Sequence, residues 1–371
     1  MSEKYIGLTS GTSMDGVDSV LVEISKSRLK LLHGITHPFP EDIHKRTLRL
    51  VRKYKNCSLE DYGEMDTAVG GYFAQATHTL LKEAGVKASD ITAIGSHGQT
   101  IIHRPELRHA FSLQIGDPNV ITSFAEITTV SDFRRRDIAE GGQGAPLSSA
   151  YHEFLFIKPK ETRVIINIGG IANVSVLPAE KRKSSWGFIT GPGNLLLDGW
   201  SQTQRMRPVD EFGSWAATGS VDGVLLKRLM ANPYFAQPAP KSTGRSMFNM
   251  KWLRKEIDAD GRAIPPVDVQ ATLVELTART IADSIKNLKE KPDRALVCGG
   301  GWHNDFLMQR LSELLSPLKL ESTEGYGVNP DWVEAAGIAW LAHQRLKEIP
   351  IDLSTATGAE RPVLLGAVYQ H

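Results

Sequence analysis

Two stretches of this chain repeat one design, and that repetition limits its fold more than any other feature. Tyr5 and Ile6 lead into the polar turn GLTSGTSMDGVD, and Ser19 to Ile24 is strand-like again. Arg163 to Ile168 reads as a strand, Gly169-Gly170-Ile171-Ala172 as a glycine turn, and Asn173 to Leu177 as a second strand. Asp15-Gly16 alone is a common hairpin dipeptide, and strand–glycine–strand is a frequent pattern. A second meaning is open to both turns: glycines let backbone N–H groups approach an anion, while Ser and Thr hydroxyls add donors. Two such hairpins, one in each of two similar domains, could grip the phosphates of a nucleotide held in a cleft.

A chain of 371 residues is long for a single core, so two domains are expected. Strand-like segments at 5–9, 17–24, 29–36, 90–95, 126–130, 163–168 and 294–298 alternate with helical pattern at 41–54, 65–84, 266–290, 305–314 and 331–346, which predicts an α/β architecture. In 65–84, Met65, Val69, Tyr72, Phe73, Ala76 and Leu80 recur at helical spacing. The Pro-rich segment 231–250 reads as an ordered loop. A net charge of +1 gives no electrostatic reason to expect nucleic acid or an anionic membrane as partner. No apolar run approaches the ~20 residues that span a bilayer. Two cysteines, Cys57 and Cys298, cannot make a disulfide framework or a cysteine zinc site. With no export signal at the N-terminus, the expected location is the cytoplasm.

Several motifs carry chemistry. Arg294 to Cys298 is a buried-type strand ending in Gly299, Gly300 and Gly301, where backbone can pass close to a flat ligand and a helix N-terminus follows. A tight strand-to-helix turn would explain the same glycines, and the G-x-G-x-x-G spacing is absent. SDFRRRD sets three arginines between two aspartates; most charge runs are solvated faces, but Phe133 before it and GGQGAP after it argue for a packed element. Arginines so held could fork a carboxylate. His97, in a Gly-Ser-His-Gly-Gln turn, reads equally as a polar contact or a structural histidine. TGPGN, around Pro192, specifies a rigid turn at a helix start. Lys241-Ser242-Thr243-Gly244-Arg245 is weak evidence and no Walker A loop.

Together these motifs resemble the anhydro-N-acetylmuramic acid kinases of peptidoglycan recycling. The matching stretches are GLTSGTSMDGVD, GSHGQTIIH, LQIGDPN, SDFRRRDIAEGGQGAPL, NIGGIANVS, TGPGNLLLDGW, PKSTGR, VQATLVELTA, VCGGGWHN and the helix around 332–342, in order along essentially the whole chain. The resemblance implies the α/β fold of the sugar kinase, Hsp70 and actin superfamily, with two ribonuclease-H-like domains closing over ATP. The expected division is 1–130 with 340–371 as one domain and 131–339 as the other, the latter carrying adenosine and much of the sugar site. Gly11, Thr12, Ser13, Met14, Asp15, Gly16, Val17 and Asp18 would form the first phosphate loop. Asn167, Gly169 and Gly170 would form the second, with Gly299, Gly300 and Gly301 by the adenosine. His97, Arg134 and Arg135 would line the sugar site, where a lactyl carboxylate needs a cation. Mg²⁺ would come with the nucleotide, held mostly through water, with Asp15 the nearby carboxylate. A homodimer is the expected assembly.

The reaction implied is coupled. Water attacks the anomeric carbon and opens the 1,6-anhydro ring while O6 takes the γ-phosphoryl group, giving N-acetylmuramic acid 6-phosphate and ADP. It needs a general base for the water and electrostatic stabilisation of the phosphoryl group. In the family that base is the Asp of Phe-Asp-Thr/Cys-Gly-Pro-Gly-Asn, but here the motif reads Phe188-Ile189-Thr190-Gly191-Pro192-Gly193-Asn194. Three explanations stand: a weak or inactive kinase, a substitute carboxylate (Asp198 or Glu334), or a position altered from a natural Asp. Two rival functions follow: a protein that binds nucleotide and sugar without turnover, and a kinase that phosphorylates an ordinary sugar hydroxyl.

Overall fold

The computed structural model describes the chain apart from Met1, Thr12, Ser13, Asp15, 181–183, Pro240, Ser246 and Asp260. It packs as two units, residues 1–155 with 332–371 and residues 156–331.

The first unit is built on a six-stranded sheet. Its strands are β1 (Glu3–Thr9), β2 (Gly16–Ser25), β3 (Arg28–Pro38), β4 (Ile91–Ser96), β7 (Thr129–Ser131) and β13 (Ala367–Tyr369), in the order β13-β7-β4-β1-β2-β3. A separate hairpin pairs β5 (Gln99–Arg104) with β6 (Phe111–Ile115). β1, β2 and β3 form an antiparallel meander, while β4 runs parallel to β1 and β7 parallel to β4. Helices cover both faces, so the central strands β1 and β2 are buried along most of their length. On one face, Met65, Val69, Phe73, Ala76 and Leu80 of the helix Leu59–Ala84 share a core with Ile6, Leu8, Val17 and Leu21. That helix begins six residues before the periodic run at Met65. The Ser58 hydroxyl accepts from Asp61 N–H and the Asp61 carboxylate accepts from Ser58 N–H, a capping box that fixes this earlier start. The other face takes the helix Val333–Leu346 at close range: a Cβ on Gly7 would run into Ala335 O, and one on Gly95 into Ile338 O. These two glycines set the depth of the helix and therefore the position of Glu334 in its first turn.

The second unit repeats the plan. β8 (Arg163–Ile168), β9 (Ile171–Leu177), β10 (Trp186–Pro192), β11 (Arg294–Cys298) and β12 (Leu320–Ser322) lie in the order β10-β9-β8-β11-β12. β8 to β10 form an antiparallel meander, with β11 parallel to β8 and β12 parallel to β11. Strand order and direction match those of the first unit through five strands, the ribonuclease-H-like arrangement. The helix Pro266–Lys286 is buried along most of its length against this sheet and ends before 290, near Pro292.

The unit boundaries differ from the division read in the sequence at 130/131 and 339/340. Residues 131–155 stay with the first unit because Ser131 ends β7, the Asp137 carboxylate accepts from the Thr357 hydroxyl, and Tyr151 fills the space beside Gly337. Arg134 and Arg135 go with them. TGPGN is likewise more than a turn: its first three residues complete β10, and the helix Asn194–Arg205 starts directly after Gly193. Among the described residues, no helix is long and apolar enough to cross a membrane.

Candidate functional site

Each unit brings part of the expected site residues together. In the first, the turn between β1 and β2 is tied by the Ser10 hydroxyl donating to Gly16 O at 2.8 Å and by Met14 N–H donating to Gly11 O at 3.3 Å. Met14 takes φ 58° and is buried. Val17 is wholly buried in the core, so its side chain cannot meet a ligand and only its backbone is available. The Asp18 carboxylate accepts from the Thr36 hydroxyl at 2.7 Å. Thr12, Ser13 and Asp15 lie outside the described residues.

His97 sits just beyond β4, its N–H bonded to Leu8 O at 3.0 Å. Arg134 Nε–H donates to His97 Nε2 at 3.0 Å, so that nitrogen must be the unprotonated one, and Nδ1–H donates to Gly98 O at 3.0 Å. Burial first, then the neighbouring guanidinium, push the imidazole down to about 3, consistent with this neutral tautomer. Arg134 Nη1 donates to Gly144 O at 2.6 Å. The guanidinium is thereby oriented with Nη2 uncommitted to any bond within the described residues.

Glu334 completes this cluster. Burial raises its pKa, and the Arg134 charge opposes the shift. Among the described residues its carboxylate accepts no hydrogen bond. A carboxyl held near a cation, uncommitted and with raised proton affinity, can exchange a proton with a ligand.

The structure separates the two arginines that were read as a pair. Arg135 points its exposed side chain to Asp132, with Nε donating at 2.8 Å, and it has no place in the His97 cluster.

Two groups here were missed by sequence reasoning. His103, at the end of the GSHGQTIIH stretch, is pushed down to about 4, chiefly by burial and then by Arg134; its Nε2 is buried without a partner among the described residues. Nothing in its isolated position on an unrecognised hairpin marked it. Asp137, at 0% exposure, accepts from Gly144 N–H at 2.7 Å and from the Thr357 hydroxyl at 2.8 Å, fixing the loop whose carbonyl holds Arg134. Asp137→Ala should lower the unfolding free energy by about 1–3 kcal/mol, because buried donors lose their acceptor. Urea denaturation checks this, and an unchanged midpoint would contradict it.

In the second unit the glycines converge. Gly193 N–H and Leu195 N–H donate to Gly170 O, and Asn194 N–H donates to Gly169 O at 2.8 Å, joining the start of the helix Asn194–Arg205 to the β8–β9 turn. Gly299 at φ 82° leaves no room for a Cβ, which would lie 2.5 Å from Asn167 Oδ1. At Gly169 and Gly300 a Cβ would meet nothing closer than 3.7 and 3.8 Å. Internal packing does not demand glycine at those two positions. They offer bare backbone at the carboxyl ends of the parallel strands β8 and β11, where open α/β sheets take ligands.

Ile189 and Asp198 belong to this unit too. Phe188 is in the core, and Ile189, next along β10, faces the other way at 7% exposure. Its N–H donates to Lys241 O at 3.1 Å and its carbonyl accepts from the Tyr234 hydroxyl at 2.7 Å. Lys241, weak evidence in the sequence, is a buried lysine. Its ammonium donates to Tyr234 O and Phe235 O, and burial lowers its pKa. Asp198 is half-buried on the helix Asn194–Arg205. Among the described residues no group of three His, Cys, Asp or Glu could hold a metal ion. Mg²⁺ that arrives on nucleotide phosphates keeps most of its waters and needs no such cage.

Comparison with known proteins matches residues 3–371 to the family model described as anhydro-N-acetylmuramic acid kinase. A protein of that name from Coxiella burnetii (strain Dugway 5J108-111) is 49% identical over 367 residues, covering 99% of this chain and 97% of its own. Those from Photobacterium profundum and Pseudomonas syringae pv. tomato are 46% and 47% identical, covering 99% and 98% of this chain and 98% of their own lengths. Agreement of this extent, over both units, means that the chain belongs to the anhydro-N-acetylmuramic acid kinase family.

Proposed function

We propose that the chain is an ATP-dependent kinase acting on 1,6-anhydro-N-acetylmuramic acid. Water adds to C1, the C1–O6 bond breaks, and O6 takes the γ-phosphoryl group. The products are N-acetylmuramic acid 6-phosphate and ADP, with one water proton leaving through a base. The observation that carries this reading is the cluster in the first unit: a guanidinium oriented by His97 and Gly144, next to the uncommitted carboxyl of Glu334. Arg134 would pair with the lactyl carboxylate, an ionised hydrogen bond of the stronger kind. The bare backbone at Gly169 and Gly300 and the turn starting at Gly11 would receive the nucleotide. Mg²⁺ would neutralise charge developing on the phosphates, with Asp15 its nearby carboxylate.

The base is the weak point of the site. Ile189 cannot accept a proton; of the two spare acids, the raised proton affinity of Glu334 favours it over Asp198 as the base for a slow residual turnover, since neither occupies the position of the family's base. A second reading, binding of both ligands without turnover, is supported by the buried, wholly apolar side chain at position 189. By homology we also propose a homodimer, located in the cytoplasm. Mass spectrometry of the sugar product tests the reaction. The expected product carries the elements of both water and a phosphoryl group. A phosphorylated sugar without added water would instead mean transfer to an ordinary hydroxyl.

A further inference from the structure

The first unit contains a cavity of about 750 Å³ whose lining includes no member of the His97–Arg134–Glu334 cluster. Four arginines, Arg135, Arg136, Arg345 and Arg361, and two carboxylates, Asp132 and Glu140, line it. Four positive and two negative charges leave an excess of +2. Asp132 is taken by Arg135, and Glu140 is shared by Arg361, at 2.8 and 3.0 Å, and Arg136, at 3.6 Å. Arg345 is different. It is half-buried, its Nε–H donates to Gly366 O at 2.9 Å, and among the described residues it has no carboxylate partner.

The walls are preformed. Ile351 and Val363 exchange backbone hydrogen bonds at 2.9 and 3.0 Å, and Glu360 N–H donates to Glu140 O at 2.8 Å. Pro350, Pro362 and Val363 give the cavity an apolar side.

We propose that this cavity binds a small phosphomonoester, its phosphate on Arg345 and Arg361 and its neutral body against the proline and valine wall. The volume lies within the range of small-molecule sites. A phosphomonoester carries about −1.5 to −2 at pH 7, which matches the excess charge. Arginine forks fit phosphate oxygens in pairs. The site shares the stretch 132–136 with Arg134, so occupancy of either site can bias the other, and any such coupling is reciprocal.

Isothermal titration of the full chain with glucose 6-phosphate, inorganic phosphate and glucose tests this. Saturable one-to-one binding of glucose 6-phosphate is expected, with weaker binding of inorganic phosphate and none of glucose. Arg345→Met should weaken it by at least about tenfold, the effect of losing one charge-assisted bond. Arg361→Gln, at a largely exposed side chain, should also weaken it and serves if the first variant does not fold. Absence of saturable binding, or binding unchanged in the variants that fold, would overturn the proposal. A chain that binds through Arg345 yet releases no ADP would leave this site standing and count only against the kinase reading.

Discussion

Ile189→Asp raises the rate of ADP release with ATP, Mg²⁺ and 1,6-anhydro-N-acetylmuramic acid by about 10²–10⁴-fold, the usual contribution of a positioned general base. The backbone at this position is ready for the change. Its N–H and carbonyl are held by Lys241 O and the Tyr234 hydroxyl, neither of which depends on the side chain. An Asp there would inherit that position. At the 7% exposure of Ile189 it would be poorly solvated, which raises a carboxyl's proton affinity toward the range useful to a base. Equal and substantial rates in the two proteins would locate the base elsewhere, and Glu334→Gln would then be the substitution to abolish turnover.

Arg134→Ala weakens binding of the anhydro sugar by at least about 30-fold, because truncating one member of a buried charge pair costs about 2 kcal/mol or more. ATP affinity stays near that of the starting protein. The contrast between the two ligands is the informative part. Arg134 touches His97 and Gly144 through side-chain bonds confined to the first unit's polar cluster, whereas the glycine backbone proposed for the nucleotide includes Gly169 and Gly300 of the second. Equal loss of both affinities in calorimetric titrations would remove the sugar-site assignment.

Local patterns carried much of the fold. The apolar strands around both glycine turns and the helical spacing from Met65 to Leu80 are short-range signals, and each became the element they indicated. The β5–β6 hairpin was not read: β5 mixes polar and apolar residues without regular alternation, and β6, although Phe111 to Ile115 alternate, is a signal only five residues long. Nor were the limits of the two units. They depend on contacts distant in sequence, such as Asp137 with Thr357 and Tyr151 with Gly337. At the site, motif residues were visible but their partners were not. Nothing in Arg134-Arg135 tells which arginine turns inward; that follows from the bonds to His97 Nε2 and Gly144 O. The burial of Lys241 beside position 189 was equally hidden, because it arises where the irregular segment after Tyr234 folds back onto β10.

The central claim is sugar-dependent phosphoryl transfer to an opened anhydro ring. Its most direct test is ADP release from ATP and Mg²⁺ by this chain and by Ile189→Asp, each with 1,6-anhydro-N-acetylmuramic acid, N-acetylmuramic acid and N-acetylglucosamine. The account predicts release that requires the anhydro sugar and is far faster with Asp at position 189. Release driven by the open sugars, or no release from either protein with the anhydro sugar, would contradict it.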